Sequence, residues 1–470
     1  MAISIRSEGA AKEVTGSKHI LTVDGRRFLV DCGAFQGRRK DTDEKNRALV
    51  ADPAGIEAVI LTHGHFDHCG LLPLLVKRGF NGNIVCTPAT RDLANIVMLD
   101  SARIQASDAE YLAKQAARKG EAFTWKPLYD ELDVMKTAGQ FLSVNYGRPL
   151  MLADGISMEF RDAGHILGSA LTVLDVNEKG GGSLRVGFSG DLGRNDKPII
   201  RDPEAMKPVD FLVLESTYGD RLHENIDDAM EDLARVINDT VKRGGKVIIP
   251  AFAIERTQEL IFYIHLLIDE KKIPSIPIFV DSPMAINATS IFQVHPECYD
   301  KETYDAFMVH HKNPFGFNEL HFASSVEESK KINTVKEPAI IISADGMCEA
   351  GRILHHLANN IQDQRNTILV VGFMAADTLG RRLTEGQKEV RIFGDLYKVQ
   401  ARIEQIHAFS AHADYEETWA WLMRMDRSML KKIFLVHGEP DALEHLRKFL
   451  LEKGIRDVEI VEKGREYKLS

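Results

Sequence analysis

At 470 residues the chain exceeds the usual single-domain size, so two domains or one large interrupted domain are expected. A composition of 44% hydrophobic and 27% charged residues, with no low-complexity stretch, excludes a disordered chain, and apolar runs such as 262–268 are far too short to span a bilayer. The net charge of −10 argues against a broad non-specific surface for nucleic acid but leaves room for a local cationic groove, and carboxylates committed to metal inflate the negative count.

Glu8, Lys12 and Glu13 interrupt the region where a signal peptide needs an apolar stretch, so a cytoplasmic protein is expected. In chain order, residues 18–23 and 27–31 read as strands joined at Asp24-Gly25, a hairpin signal. Residues 58–62 form a buried-strand run ending at a His cluster, 71–79 read as a helix stopped by Gly79, and 84–86 resume a strand. Residues 91–138 are mostly helical and charged, the pattern of a solvated arm. Short strands return over 156–213, broken at Gly180-Gly181-Gly182, which reads as a loop tip. After Glu215 the pattern changes. A helix over 227–243, a strand over 246–250, a helix over 255–270 and a strand over 277–281 alternate; strands over 339–343 and 367–372 follow, each with a Gly-containing turn and a helix. Such repetition implies a parallel sheet with helices on its faces. Beyond about 399 a strand pair, a helix and the strand 432–436 are expected.

The five cysteines are odd in number and scattered, with no CxxC pair, so neither a disulfide framework nor a thiolate zinc site is expected. The 17 histidines cluster instead. His63-Gly64-His65-Phe66-Asp67-His68 follows a buried strand, where a loop can turn all four polar side chains into one pocket. His63 and His65 can meet one ion, and Asp67 and His68 a second; imidazole and carboxylate are ordinary zinc ligands. His165, Asp191 and His437 each lie at a strand end beside glycine and complete a shared site. A carboxylate such as Asp191 can bridge two ions.

Asp31, the H-x-H-x-D-H motif, His165 and Asp191, in that order, resemble the metallo-β-lactamase superfamily. Glu215-Ser216-Thr217-Tyr218-Gly219, Ser410-Ala411-His412-Ala413-Asp414 and His437 resemble its β-CASP branch, and the resemblance covers essentially the whole chain. It implies an α/β protein: an αββα sandwich over 1–218 and 399–470, with a parallel α/β domain inserted over 219–398. It implies two zinc ions, one held by His63, His65 and His165, the other by Asp67, His68 and His437, with Asp191 bridging and Asp31 orienting a ligand.

It also implies a mechanism, in which water activated between the metals attacks phosphorus in line. Asp67 can take the water's proton, and His412, held protonated by Glu215, can donate one to the leaving ribose oxygen. Phosphate binders are expected at strand ends of the inserted domain: Arg256, Ser282, Gly346 and Arg352, with Ser410 beside His412. RNA-acting members of the branch carry histidine where this chain has His437, so single-stranded RNA is the expected partner. A small-molecule hydrolase of lactones or thioesters, a DNA nuclease and a non-enzymatic scaffold are the rivals. The first lacks the inserted domain and the motif 410–414; the last lacks ligands that are all present here. A homodimer is an open expectation.

Overall fold

The computed structural model describes every residue except 1, 38, 178–181, 311, 312, 373, 375, 376, 407 and 470, with the backbone alone at 39–41 and 227. Gly180 and Gly181 of the expected loop tip lie outside the described residues. The chain divides into two units, Met1–Leu222 with Ala411–Ser470, and His223–Ser410.

The first unit holds two seven-stranded sheets. In one, Glu466–Leu469, Ile3–Gly9, Lys18–Val23, Arg26–Val30, Ile56–Ile60, Asn83–Cys86 and Phe141–Ser143 lie side by side. In the other the order is Val458–Ile460, Lys432–Val436, Phe211–Glu215, Ser183–Phe188, Ala170–Asn177, Ile156–Asp162 and Leu150–Ala153. Alternate residues point to opposite faces of a strand. One set, including Leu21, Phe28, Ile60, Phe160, Leu174, Phe188 and Val436, forms the buried apolar core of this unit. The next set on the second sheet, including Leu171, Val173, Leu212 and Leu435, packs on Trp421 and Leu422 of helix Tyr415–Arg424 and on Leu443, Leu446 and Leu450 of helix Pro440–Glu452.

Strand direction positions the site. Ser183–Phe188, Phe211–Glu215 and Lys432–Val436 run parallel, and Ile156–Asp162 joins that direction through two antiparallel pairings. Arg26–Val30 and Ile56–Ile60 are parallel in the first sheet. The residues that follow these strands are those in which the sequence concentrates histidine and aspartate.

The second unit has one six-stranded sheet, ordered Leu320–Phe322, Ile278–Val280, Ile340–Ser343, Val247–Pro250, Thr367–Val371 and Arg402–Ile406, and every pairing is parallel. Val247–Pro250, Ile340–Ser343 and Thr367–Val371 are buried along their whole length, as strands covered on both faces must be.

Three sequence expectations change. The segment 91–138 is not simply a solvated arm. Its long helix Pro88–Lys119, capped by Thr87, buries Leu93, Ala94, Val97 and Met98 in its first half, and only the second half is largely exposed. The strand pair expected beyond 399 falls earlier, as the hairpin Glu389–Ile392 and Asp395–Lys398, whereas Arg402–Ile406 extends the parallel sheet. Strand Ile3–Gly9 was not expected, although its Ile3 and Ile5 alternate with Ser4 and Arg6.

Candidate metal centre

The motif 63–68 leaves strand Ile56–Ile60 as a loop and then turns once, as the short helix Phe66–Cys69. The loop thus carries His63 and His65, and the helical turn carries Asp67 and His68. Neighbouring backbone fixes this turn: Ser17 N donates to Asp67 O at 2.8 Å and Cys32 N to His68 O at 2.8 Å. Gly33 makes the approach possible, since a Cβ there would lie 1.5 Å from Asp67 O. Lys18, fully buried, donates its ammonium to Gly16 O and Gly33 O and ties the same loops together. Burial lowers its pKa to about 8. Gly193 serves the other side of the site, where a Cβ would lie 1.8 Å from Gly164 O.

All seven expected ligands converge. His63 Nε2 lies 3.1 Å from His65 Nδ1, and His165 Nε2 lies 3.3 Å from that same atom. Asp191 Oδ2 is 3.5 Å from His63 Nε2 and 3.6 Å from His165 Nε2. On the other side His68 Nε2 is 3.2 Å from Asp191 Oδ1 and 3.4 Å from His437 Nε2, and His437 Nε2 is 3.4 Å from Asp67 Oδ2. Four ligand atoms placed tetrahedrally at about 2.0–2.2 Å from one zinc are about 3.3–3.6 Å apart. The separations among His63, His65, His165 and Asp191 are close to that geometry, as are those among Asp67, His68 and His437, and Asp191 turns its other oxygen to His68.

The hydrogen bonds on the outer nitrogens identify the inward ones. Asp31 Oδ2 accepts from His68 Nδ1 at 2.7 Å, which leaves Nε2 facing the site. Thr62 Oγ1 lies 2.9 Å from Asp31 Oδ2 and 3.1 Å from His63 Nδ1; the carboxylate can only accept, so the hydroxyl donates to Asp31 and accepts from His63. Asp191 Oδ1 is buried and has no hydrogen bond of acceptable geometry, although nitrogen lies within 3.2 Å. Buried carboxylates are ordinarily satisfied. An orphaned carboxylate oxygen opposite inward-facing imidazole nitrogens is the donor set of a cation site, and it fits zinc.

Electrostatics support that fit. Burial pushes His63 and His165 well below the ordinary imidazole range and His65 to about 4, so these three are neutral and available as ligands. Burial would raise Asp191, but His437, His68 and His63 outweigh it and hold the carboxylate well below its usual range. Burial would lower His68, but Asp191 and Asp31 raise it well above 6.5. His437 is raised in the same way, against burial, by Asp191 and Asp67.

His412 sits beside this set. Its Nδ1 donates to Glu215 Oε1 at 3.0 Å and lies 4.0 Å from Asp191 Oδ2. Glu215 is rigidly held, since Oε1 also accepts from Leu192 N at 2.7 Å and Oε2 from Thr217 N at 3.1 Å. Against the cost of burial, the Glu215 charge and hydrogen bond raise His412 to about 9. A fifth of its side chain stays accessible, so a substrate can reach it.

The five expected phosphate binders lie in the second unit and already have structural roles or burial. Arg352 donates to Asp281 Oδ1 at 2.6 Å and to the carbonyls of Ala323 and Ser324. Ser282 Oγ caps helix Pro283–Val294 by accepting from Ala285 N. Arg256 is buried and paired with Glu259. Gly346 allows close approach to Phe252, whose backbone N would lie 3.1 Å from a Cβ there. Ser410 is buried. The sequence alone gives Thr62, Thr217 and Lys18 no role; a threonine touching a ligand looks like any strand-end threonine until the fold is known.

The sequence matches the metallo-beta-lactamase superfamily over residues 19–250, the Beta-Casp domain over 257–383 and the Zn-dependent metallo-hydrolase RNA specificity domain over 396–461. It is 34% identical over 447 residues to "Ribonuclease TTHA0252" of Thermus thermophilus, covering 95% of each chain. The chain belongs to the β-CASP family of the metallo-β-lactamase superfamily. Within that family it is also 31% identical over 465 residues to "Transcription termination factor FttA" of Methanosarcina mazei, of which it covers 69%. A crystal structure of a protein of unknown function from Enterococcus faecalis V583 matches over the full length of both chains with a TM-score of 0.57 at 12% identity, a likeness of fold alone. As a β-CASP protein the chain is a zinc-dependent metallo-hydrolase.

Proposed function

We propose that this β-CASP protein is a ribonuclease that hydrolyses phosphodiester bonds of single-stranded RNA with two zinc ions per chain. The observation that carries the reading is the set His63, His65, His165 and Asp191 beside the set Asp67, His68 and His437, joined where Asp191 Oδ1 lies 3.2 Å from His68 Nε2, with the His412–Glu215 pair next to them. His63, His65 and His165 would hold one ion and Asp67, His68 and His437 the other, with Asp191 available to both. Bound zinc supplies Lewis acidity for the phosphoryl oxygens and for water at neutral pH.

The chain's own residues do the rest. Asp31 and Thr62 orient His68 and His63. Asp67, with one oxygen toward His437 and its side chain partly accessible, takes a proton from attacking water. His412 is protonated at neutral pH and gives its proton to the departing ribose oxygen; Glu215 keeps it charged and aimed. Arg256, Ser282, Gly346, Arg352 and Ser410 act on binding by holding the strand-end loops of the inserted domain in shape. The names of the ribonuclease and the termination factor among the relatives, and the presence of His437, favour RNA over DNA. No described helix is long and apolar enough to cross a membrane. We read the protein as a cytoplasmic enzyme, with a homodimer as the assembly to test by light scattering.

The test is zinc analysis of the purified protein beside cleavage assays on single-stranded RNA, single-stranded DNA, a lactone and a thioester. Two ions and preferential RNA cleavage are expected. Faster turnover of the lactone or thioester, or of DNA, overturns the assignment.

A further inference from the structure

We propose that Thr217 is a positioning residue that selects the nitrogen through which His437 meets the metal. The inference rests on the reading of His437 as a zinc ligand. It starts from register. Strands Phe211–Glu215 and Lys432–Val436 pair in parallel with Glu215 opposite Val436, so the residues just after each strand, Thr217 and His437, leave the sheet side by side. His437 takes a left-handed backbone, φ +54°, uncommon for a residue with a Cβ. Its N–H donates to Ala10 O at 2.7 Å, and its carbonyl accepts from Ser216 N at 3.2 Å. The backbone is therefore pinned from two sides.

The ring is pinned by one hydroxyl. Thr217 Oγ1 lies 3.0 Å from His437 Nδ1 and 3.2 Å from His437 O. A hydroxyl has one proton, and a carbonyl oxygen can only accept. The geometry is consistent when Thr217 donates to the carbonyl and accepts from Nδ1–H. That arrangement puts the ring proton on Nδ1 and leaves the lone pair of Nε2 toward Asp67 Oδ2 and His68 Nε2, both 3.4 Å away. Nδ1 is 3.7 Å from Asp191 Oδ1, beyond hydrogen-bond range, so the hydroxyl is its closest polar partner in the site.

The same device occurs elsewhere in this centre. Thr62 donates to Asp31 and accepts from His63 Nδ1, leaving His63 Nε2 inward. His68 reaches the same end through Asp31 directly. Partners on the outer nitrogen of a ligating histidine fix its tautomer and orientation, and their loss typically costs about 10–100-fold in metal affinity. Thr217 differs from Asp31 in carrying no charge, so it sets the tautomer of His437 without adding to the ring's basicity.

Three variants and one spectrum test this. Thr217→Val keeps the shape and removes the hydroxyl, Thr217→Ser keeps the hydroxyl, and Thr217→Ala removes both. Zinc per chain is measured after dialysis against graded chelator. Wild type and Thr217→Ser should hold both ions alike. Thr217→Val and Thr217→Ala should bind one of the two roughly 10–100-fold more weakly while keeping the other. A two-bond nitrogen–proton spectrum of the histidine rings in the zinc-loaded protein, assigned by loss of the His437 signal in His437→Ala, should show the proton on Nδ1 in wild type.

Wild-type affinity for both ions in Thr217→Val overturns the proposal, as does equal loss in Thr217→Ser, which would make the effect one of packing. A His437 proton on Nε2 in wild type overturns it independently, and this measurement stands even if the valine variant does not fold. A wild-type protein that holds fewer than two ions instead overturns the two-zinc reading and with it the premise of this proposal.

Discussion

Two strand-end clusters in this chain use the same residue types to opposite ends. In the inserted unit, Asp281 follows strand Ile278–Val280 and receives Arg352 at 2.6 Å on one oxygen, and Ser329 at 2.5 Å and His356 Nε2 at 2.7 Å on the other. His356 Nδ1 is in turn 3.0 Å from Asn333 Oδ1. Burial opposes the charge on Asp281, yet these donors hold its carboxyl below the usual range. In the first unit, Asp191 follows strand Ser183–Phe188, equally buried among histidines, and its Oδ1 has no hydrogen bond of acceptable geometry. The difference lies in direction. His356 turns an N–H toward its aspartate, whereas His63 and His68 give their outer N–H to Thr62 and Asp31 and turn their other nitrogen inward. A saturated Asp–His cluster is structural; one whose outer partners consume the protons is built for a cation.

The comparison breaks hardest at Asp191. Asp191→Ala should lose metal from both sets, and RNA cleavage should fall to background. Elemental analysis that finds two retained ions would falsify the bridging assignment.

His412→Ala should give the next largest effect. Both zincs should stay while RNA cleavage slows about 10²–10⁴-fold, the usual contribution of a general acid. The loss should shrink for a nitrophenyl phosphodiester, whose leaving group needs little protonation. Equal slowing of both substrates, or zinc loss, would make His412 a ligand or phosphate binder.

Glu215→Gln should act in the same direction but less. His412 is raised from 6.5 to about 9, so its stabilising charge is fully present below about 6.5 and is lost as pH rises through about 9. The acid needed for cleavage disappears over that same upper range. Removing the Glu215 charge should move the basic limb of the pH–rate profile to lower pH; an unmoved limb separates Glu215 from His412.

The smallest effect on chemistry is expected at the saturated cluster. Arg352→Ala should leave zinc content unchanged and lower stability by roughly 3 kcal/mol, the lower end for breaking a buried pair, because Ser329 and His356 still hold Asp281. Its Michaelis constant for long RNA should rise more than that for a bare phosphodiester. Loss of zinc in this variant would dissolve the distinction between the two clusters.

Much of this was legible in the residues. H-x-H-x-D-H after a buried strand specifies ligand types and a turn, and the alternation after Glu215 specifies a parallel sheet, because period and composition are local properties of the chain. The core strands Val247–Pro250, Ile278–Val280, Ile340–Ser343 and Thr367–Val371 fall where apolar runs predicted them. Local pattern alone does not distinguish the exposed from the buried half of helix Pro88–Lys119, since burial depends on what packs against it.

The sequence by itself determined which atoms are able to bind metal and that they stand at strand ends. The tertiary structure decided which of them meet. Asp31, His63, His165, Asp191 and His437 span over 400 residues of chain, and only the parallel directions of their strands bring those ends to one edge. It also decided which nitrogen each histidine presents. That choice belongs to hydroxyls and carboxylates such as Thr62, Asp31 and Thr217, whose partners are fixed by cross-strand register, and a hydrogen bond a few ångströms long leaves no trace in the spacing of residues along the chain.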